Sequence, residues 1–585
     1  MIPALARGGW RRAGIGEVAM GIRSRFWALT CVAALVLTGA LGAVGFAATE
    51  SNAPQIAWSP CYRDLNRGAF ECGTLSVPLI YSARDDGQDQ AGRTDDGGAR
   101  ISVAVVRLPA SDRPHRIGSM FINPGGPGGS GVDFALFAPF LFSPDVLARF
   151  DVVGFDPRGI FRSTQLRCFN SPTEWAPYFT PFAFPSNPQE ERAWIAADRF
   201  LDNACATRGG AIRDHMSTAN VARDLDRLRA AVGDKQLTYA GYSYGSYLGV
   251  TYANMFPTRV RALIVDGVLD PIAWATGVGR ESETLPFSTR LRSDQGAQAT
   301  LQEFFRLCDG GAGCAFAPKS ADRFAALGER LKEDPLLIRD PVTGQVLFEF
   351  DYSLLIANAL GAMYNSSSWP SFAGFLAVLE AQAGPDDLRG SLAAFHSSLG
   401  LDPRLADPDY RNQIEGFPGV ACSDSDNPNS YSAWSKQGAQ ADKRFGYFGR
   451  IWTWASSICA EWPGADTDRY IGPFTRSTAN PVLVIGNIFD PATRYQGAVT
   501  VSGLLPKSRL LTVHGWGHTS ILLSECATAA VTAYLVNQTL PATGTVCEQD
   551  AVPFASAPLS VQRAANTNAG ARAVLIPDAL ARSMR

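Results

Sequence analysis

Apolar positions along the chain cluster into short continuous runs separated by stretches with a helical period. Strand-like runs fall at 74–80, 101–108, 118–122, 150–155, 236–240, 262–266, 481–485 and 509–513. Several do not alternate: Val482-Leu483-Val484-Ile485 is apolar throughout. That is the pattern of strands covered on both faces of a parallel sheet. Helix-like segments are interleaved with these runs; 219–231 carries Arg and Asp along one side, and 247–255 follows the fifth strand. Strands alternating with helices predict an α/β fold with a mostly parallel sheet.

Between 272 and 470 the pattern changes. Helical stretches at 300–308, 320–332, 352–364 and 372–383 appear without buried-strand runs, and strands resume only at Pro481. The sheet is therefore expected to be interrupted by a largely helical insertion. The expected organisation is a signal peptide or anchor (1–48), a first core part (49–271), a helical cap (272–470), a second core part (471–550) and a flexible tail (551–585). The Gly/Asp-rich stretch 85–100 reads as an exposed hairpin-like insertion. Aromatic residues crowd the cap (Trp369, Phe372, Phe375, Trp434, Phe445, Phe448, Trp452, Trp454), as pocket lining or as its core.

Composition narrows the function. Of 585 residues, 18% are charged and 10% aromatic, which excludes a disordered chain. Basic residues number 52 against 55 acidic, so there is no basic excess for a nucleic-acid partner. The segment 26–49 carries no charge, follows Arg23 and Arg25, and ends in Gly45-Phe46-Ala47-Ala48. This reads as an export signal, and its length leaves an uncleaved anchor open as the one contact with a membrane. Ten cysteines lie beyond that segment: Cys61, Cys72, Cys168, Cys205, Cys308, Cys314, Cys422, Cys459, Cys526 and Cys547. An even set in an exported chain predicts disulfides, paired here in sequence order, although ten cysteines allow about 945 pairings. Buried free thiols are the alternative. No CxxC, HExxH, EF-hand or dinucleotide motif implies a metal or cofactor.

The candidate chemistry centres on Gly241-Tyr242-Ser243-Tyr244-Gly245, set between a strand and a helix. Strand–turn–helix around G-x-S-x-G is a nucleophile elbow with Ser243 as nucleophile. The loop Asn123-Pro124-Gly125-Gly126-Pro127-Gly128-Gly129-Ser130-Gly131 also follows a strand. It lacks a P-loop Lys-Ser/Thr and reads as an oxyanion loop, with donors from Tyr244 N–H and from Gly125 or Gly126. Of five histidines, His518 in Gly515-Trp516-Gly517-His518 sits in the loop leaving the last strand, with His514 the alternative base. Asp490 lies at a strand end as the acid, with Asp266 and Asp270 as alternatives. Ser243, Asp490 and His518 then follow the chain order of the α/β-hydrolase triad.

These motifs, with Val152-Val153-Gly154-Phe155-Asp156-Pro157-Arg158-Gly159 and Asp490-Pro491-Ala492-Thr493, resemble the exported tripeptidyl-aminopeptidase group of the α/β hydrolases. That group is related to prolyl aminopeptidases and occurs in bacteria, notably actinomycetes. The resemblance covers about residues 58 to 547. It implies an inserted cap and hydrolysis of peptides or small esters, outside the cytoplasm or in the cell envelope. One departure is Arg158-Gly159-Ile160-Phe161-Arg162-Ser163, where the group usually has glycine at the Phe161 position. An exopeptidase needs a carboxylate for the substrate's free ammonium, and the cap offers Glu415, Asp424, Asp426 and Glu461. Asp424, just after Cys422, resembles a family feature. A carboxylesterase or lipase would share the triad, and a catalytically dead scaffold would not require all of the triad and oxyanion loop.

Overall fold

A computed structural model describes residues 55–65, 68–81, 98–340, 343–382, 384–399 and 410–555. The expected signal or anchor, nearly all of the Gly/Asp-rich insertion and the tail beyond 555 lie outside the described residues. Twelve strands are described: β1 (Ser59–Cys61), β2 (Phe70–Pro78), β3 (Arg100–Leu108), β4 (Gly118–Asn123), β5 (Phe150–Phe155), β6 (Leu237–Tyr242), β7 (Val260–Asp266), β8 (Leu336–Arg339), β9 (Val346–Phe350), β10 (Val482–Phe489), β11 (Ser508–Trp516) and β12 (Val546–Glu548). Ten form one sheet in the order β1-β2-β3-β5-β4-β6-β7-β10-β11-β12. From β5 onward along that order every pairing is parallel. The β1–β2, β2–β3 and β3–β5 pairings are antiparallel.

The unbroken apolar runs follow from two-sided cover. Phe121, Val153, Tyr239, Leu263, Val265, Val482 and Val484 belong to one hydrophobic cluster, on one face of the sheet. Their chain neighbours Met120, Ile122, Val152, Ala240, Ile264, Leu483 and Ile485 belong to another. Successive side chains on a strand point to opposite faces, so both sets must be apolar when both faces are covered. Helices Thr218–Ala231 and Tyr244–Met255 contribute to the first of these clusters. Ser217 caps the former by accepting the Asn220 N–H.

The segment between β7 and β10 is mainly helical, as expected, but it also holds the antiparallel hairpin β8–β9. It has its own core, in which Phe304, Phe324, Leu355, Trp369, Phe372, Phe375, Phe395 and Phe448 are buried together. Those cap aromatics are therefore packing residues. Trp434 and Trp454 form a separate small cluster with Tyr431, joined by Trp194. Trp194 belongs to helix Pro188–Arg208, which precedes the nucleophile in sequence yet packs on this layer; its Nε1–H donates to Ser457 Oγ at 2.9 Å. The cap layer thus draws on two separated segments.

Disulfides join 61–72, 168–205, 308–314, 422–459 and 526–547, the sequence-order pairing, with Cα separations from 4.5 to 5.8 Å. Five disulfides fit an oxidising environment. Among the described residues no helix is long and apolar enough to cross a membrane.

Candidate active site

The parallel strands β6, β7, β10 and β11 are consecutive neighbours, so the residues leaving their carboxyl ends gather along one edge of the sheet. Ser243 follows β6, Asp266 ends β7, Asp490 follows β10 and His518 follows β11. Four segments far apart in sequence meet there because the strand order brings them together.

Ser243 has φ 57° and ψ −127°, a backbone conformation that side-chain-bearing residues rarely adopt. Its surroundings hold it there. Its N–H donates to the Asp266 carbonyl at 2.9 Å, and its own carbonyl accepts from Ser246 N–H at 2.8 Å and Ser246 Oγ at 2.5 Å. Close backbone approach explains the flanking glycine: a Cβ on Gly245 would lie 2.6 Å from the Asn123 carbonyl oxygen.

Asp490 and His518 form a buried pair, with Nδ1 2.9 and 3.0 Å from the two carboxylate oxygens. Asp490 is fixed by four further donors. Its Oδ1 accepts Ala492 N–H (2.9 Å) and Thr493 N–H (2.8 Å), and its Oδ2 accepts Thr493 Oγ1 and Thr519 N–H (both 3.0 Å). A carboxylate only accepts, so Nδ1 carries the hydrogen and a neutral imidazole keeps Nε2 as its basic nitrogen. The cap supports this loop. His518 N–H donates to the Tyr364 carbonyl at 3.0 Å, the Tyr364 ring stands edge-on to the imidazole at 5.1 Å, and Asn365 pairs with Gly517. Sequence reading gave no signal for this contribution from helix Tyr352–Tyr364.

The alternatives are occupied elsewhere. Burial pushes the Asp266 carboxyl up to about 6, and that carboxyl accepts Ser520 N–H (3.0 Å) and Oγ (2.7 Å). Asp270 caps helix Pro271–Ala275 through the Ile272 and Ala273 N–H groups. His514 is exposed, with Nδ1 2.8 Å from Glu548.

The loop after β4 lies directly on the elbow: a Cβ on Gly125 would be 2.8 Å from both Ser243 Cβ and Tyr244 N. Gly125 and Gly126 have φ of +101° and +109°, which glycine alone adopts without strain. The structure separates the two expected donors. Gly125 N–H is taken by Asn123 Oδ1 at 3.0 Å, whereas Gly126 N–H and Tyr244 N–H have no partner among the described residues. Of the two, Gly126 is thus the donor with a free N–H on this side of the loop among the described residues. At its far end the loop is tied to β5, because Asp156 accepts Ser130 Oγ (2.5 Å) and Val132 N–H (3.1 Å).

The cap carboxylates differ in situation. Glu415 is buried in helix Gln413–Asp424 and accepts the Tyr410 hydroxyl; the next residue, Gly416, packs on Gly128 of the oxyanion loop. Asp424 ends the same helix. Its Oδ1 accepts Thr218 N–H (2.7 Å), and its Oδ2 accepts Thr218 Oγ1 (2.6 Å) and Trp274 Nε1 (3.3 Å). Burial pushes this carboxyl up to about 7. Asp426 pairs with Arg469, and Glu461 is exposed in a two-pronged ion pair with Arg199. Phe161 is buried with φ +41° under the Arg411 guanidinium, 5.2 Å from the ring centroid. That left-handed φ is one that glycine adopts without strain and a side-chain-bearing residue rarely does.

A strained serine between a strand and a helix, with a buried His–Asp pair from later strand ends at the same edge of the sheet, is the arrangement of a serine hydrolase of the α/β-hydrolase type. The profile described as "alpha/beta hydrolase fold" matches residues 118–295, and the one described as "TAP-like protein" matches 444–547. Serine protease Hip1 of Mycobacterium tuberculosis is 31% identical over 546 residues, covering 89% of this chain and 97% of its own. Carboxylesterase B of the same species is 31% identical over 514 residues, covering 85% and 90%. Tripeptidyl aminopeptidase of Streptomyces lividans is 29% identical over 525 residues, covering 87% and 89%. The chain belongs to the TAP-like group of the α/β hydrolases.

Proposed function

We propose that the protein is an exported serine peptidase that releases residues or short peptides from free N-termini. The observation that carries the chemistry is the buried Asp490–His518 pair at the same edge of the sheet as a strained Ser243. Ser243 Oγ attacks the scissile carbonyl while His518 Nε2 takes its proton, with Asp490 fixing the imidazole tautomer. The tetrahedral oxyanion is held by the N–H groups of Gly126 and Tyr244. Collapse breaks the C–N bond as His518 returns the proton to the leaving amine, and water then cleaves the acyl-enzyme by the same steps. Relatives named as serine protease and tripeptidyl aminopeptidase support peptide as the substrate. Glu415 is the amine-binding carboxylate best supported by position, because its helix packs on the oxyanion loop. The five disulfides support residence outside the cytoplasm, reached through the N-terminal apolar segment.

A second reading is esterase action. It is favoured by the relative named carboxylesterase B and by the engagement of Asp424 and Glu461 with groups of the protein itself. Turnover of a chromogenic free-amine tripeptide, its N-acetylated twin and a short acyl ester separates the two, with Ser243→Ala as control. Preferential cleavage of the free-amine peptide is the expected result. Cleavage of the ester with neither peptide turned over would replace the peptidase reading by the esterase one.

A further inference from the structure

Tyr244, whose backbone N–H faces the oxyanion position, has a buried side chain tethered to the cap. Its hydroxyl bonds Thr218 Oγ1, and Thr218 Oγ1 in turn donates to Asp424 Oδ2 at 2.6 Å. The single hydroxyl hydrogen of Thr218 is thereby used, so the tyrosine must donate to the threonine: the chain runs Tyr244 O–H to Thr218 O–H to carboxylate. The other oxygen of Asp424 accepts the Thr218 N–H at the first turn of helix Thr218–Ala231, where the helix dipole favours negative charge. Asp424 also accepts from Trp274 Nε1, and the Trp274 ring packs on Tyr244 with centroids 5.8 Å apart. One carboxylate thus gathers both the hydroxyl and the ring that confine Tyr244. It is delivered by the insertion and anchored two residues earlier by the Cys422–Cys459 disulfide.

We propose that Asp424 is a positioning residue for the oxyanion hole, setting the direction of the Tyr244 N–H through Thr218 and Trp274. It acts through Tyr244 and does not touch substrate. The inference rests on the reading of Tyr244 N–H as an oxyanion donor. A donor displaced by a fraction of an ångström still binds substrate but stabilises the transition state less, so the loss falls on kcat.

The test uses Asp424→Asn, Thr218→Val, Thr218→Ser and Tyr244→Phe in the full mature chain. Each is assayed on an acyl ester with no amine and on a free-amine tripeptide, with kcat and KM separated and the reaction rate with a neutral serine-directed phosphonate recorded. Asp424→Asn, Thr218→Val and Tyr244→Phe are each expected to lower kcat about tenfold on both substrates, with KM within twofold and phosphonylation slowed in parallel. Thr218→Ser, which keeps the hydroxyl, is expected to retain wild-type kcat. If Asp424→Asn does not fold, the Thr218 and Tyr244 variants carry the test alone. A loss confined to KM on the free-amine peptide would overturn the proposal and make Asp424 an amine subsite. A lowered Tm with unchanged kcat on both substrates would overturn it in favour of a purely structural carboxylate. Ester hydrolysis surviving in Ser243→Ala would refute the triad itself, and the proposal with it.

Discussion

Gly267 sits where the elbow, the acid turn and the base loop converge, and adding one methyl there should disable the enzyme while leaving it folded. Its φ is +63°, and a Cβ would lie 2.8 Å from Thr519 Cγ2, 3.1 Å from Thr493 Oγ1 and 3.3 Å from His518 Cε1. None of these neighbours yields easily. Thr519 N–H and Thr493 Oγ1 are both bonded to Asp490, and all three residues are buried. Carbon atoms pack comfortably at about 3.5–4.0 Å, so relief needs a shift of about 0.7–1.2 Å in the His518–Thr519 segment. Left-handed strain in alanine adds about 1–2 kcal/mol against the folded state. Misplacement of a reacting group by about 1 Å costs on the order of 100-fold in rate. Gly267→Ala should therefore lower kcat by about 10- to 100-fold, with KM little changed and only a modest drop in Tm. Steady-state turnover of an acyl ester beside thermal unfolding of the same preparation would check this. A kcat within twofold of wild type would refute the placement of His518 against Gly267, and with it the geometry of the triad.

Other outcomes follow from the same contacts. Asp490→Asn should cut kcat by roughly 10⁴-fold with KM retained, since the amide no longer enforces the productive imidazole tautomer; pre-steady-state acylation would show the loss in the first step. Arg158 is fully buried, with Nε and Nη2 2.7 and 2.6 Å from the Asp224 carboxylate, so Arg158→Met should cost about 3–5 kcal/mol in denaturant unfolding by stranding that carboxylate. Burial pushes Asp198 and Asp202 up to about 8. The folded chain thus keeps protons that the unfolded chain releases near pH 4, so their contribution is complete below about pH 4 and is lost as pH rises through 8. Tm should fall between pH 5 and pH 9, and the paired change Asp198→Asn with Asp202→Asn should flatten that slope.

Legibility in the sequence followed burial. The strands of the sheet centre were readable because both faces are covered, which leaves continuous apolar runs such as Val482 to Ile485. The edge strands β1 and β12 are three residues long and carry no such run. The hairpin β8–β9 was missed because much of it is exposed and it alternates weakly. Ser243, Asp490 and His518 could be singled out because each is tied to a strand end, and strand ends are visible. What sequence could not supply is which polar groups are already satisfied. Gly125 and Gly126 are equivalent in sequence, and only the Asn123 side chain distinguishes them. Asp424 and Glu461 both read as cap acids, yet one is buried against Thr218 and the other is paired with Arg199 at the surface.

The proposed chemistry stands or falls with Ser243 as the nucleophile of a functioning triad. Intact-mass analysis after reaction with a serine-directed fluorophosphonate, followed by peptide mapping, tests it most directly. One adduct per chain is expected on Ser243, none in Ser243→Ala, and strongly slowed labelling in His518→Ala. Labelling of another residue, or unreactive wild-type protein with an intact fold, would contradict it.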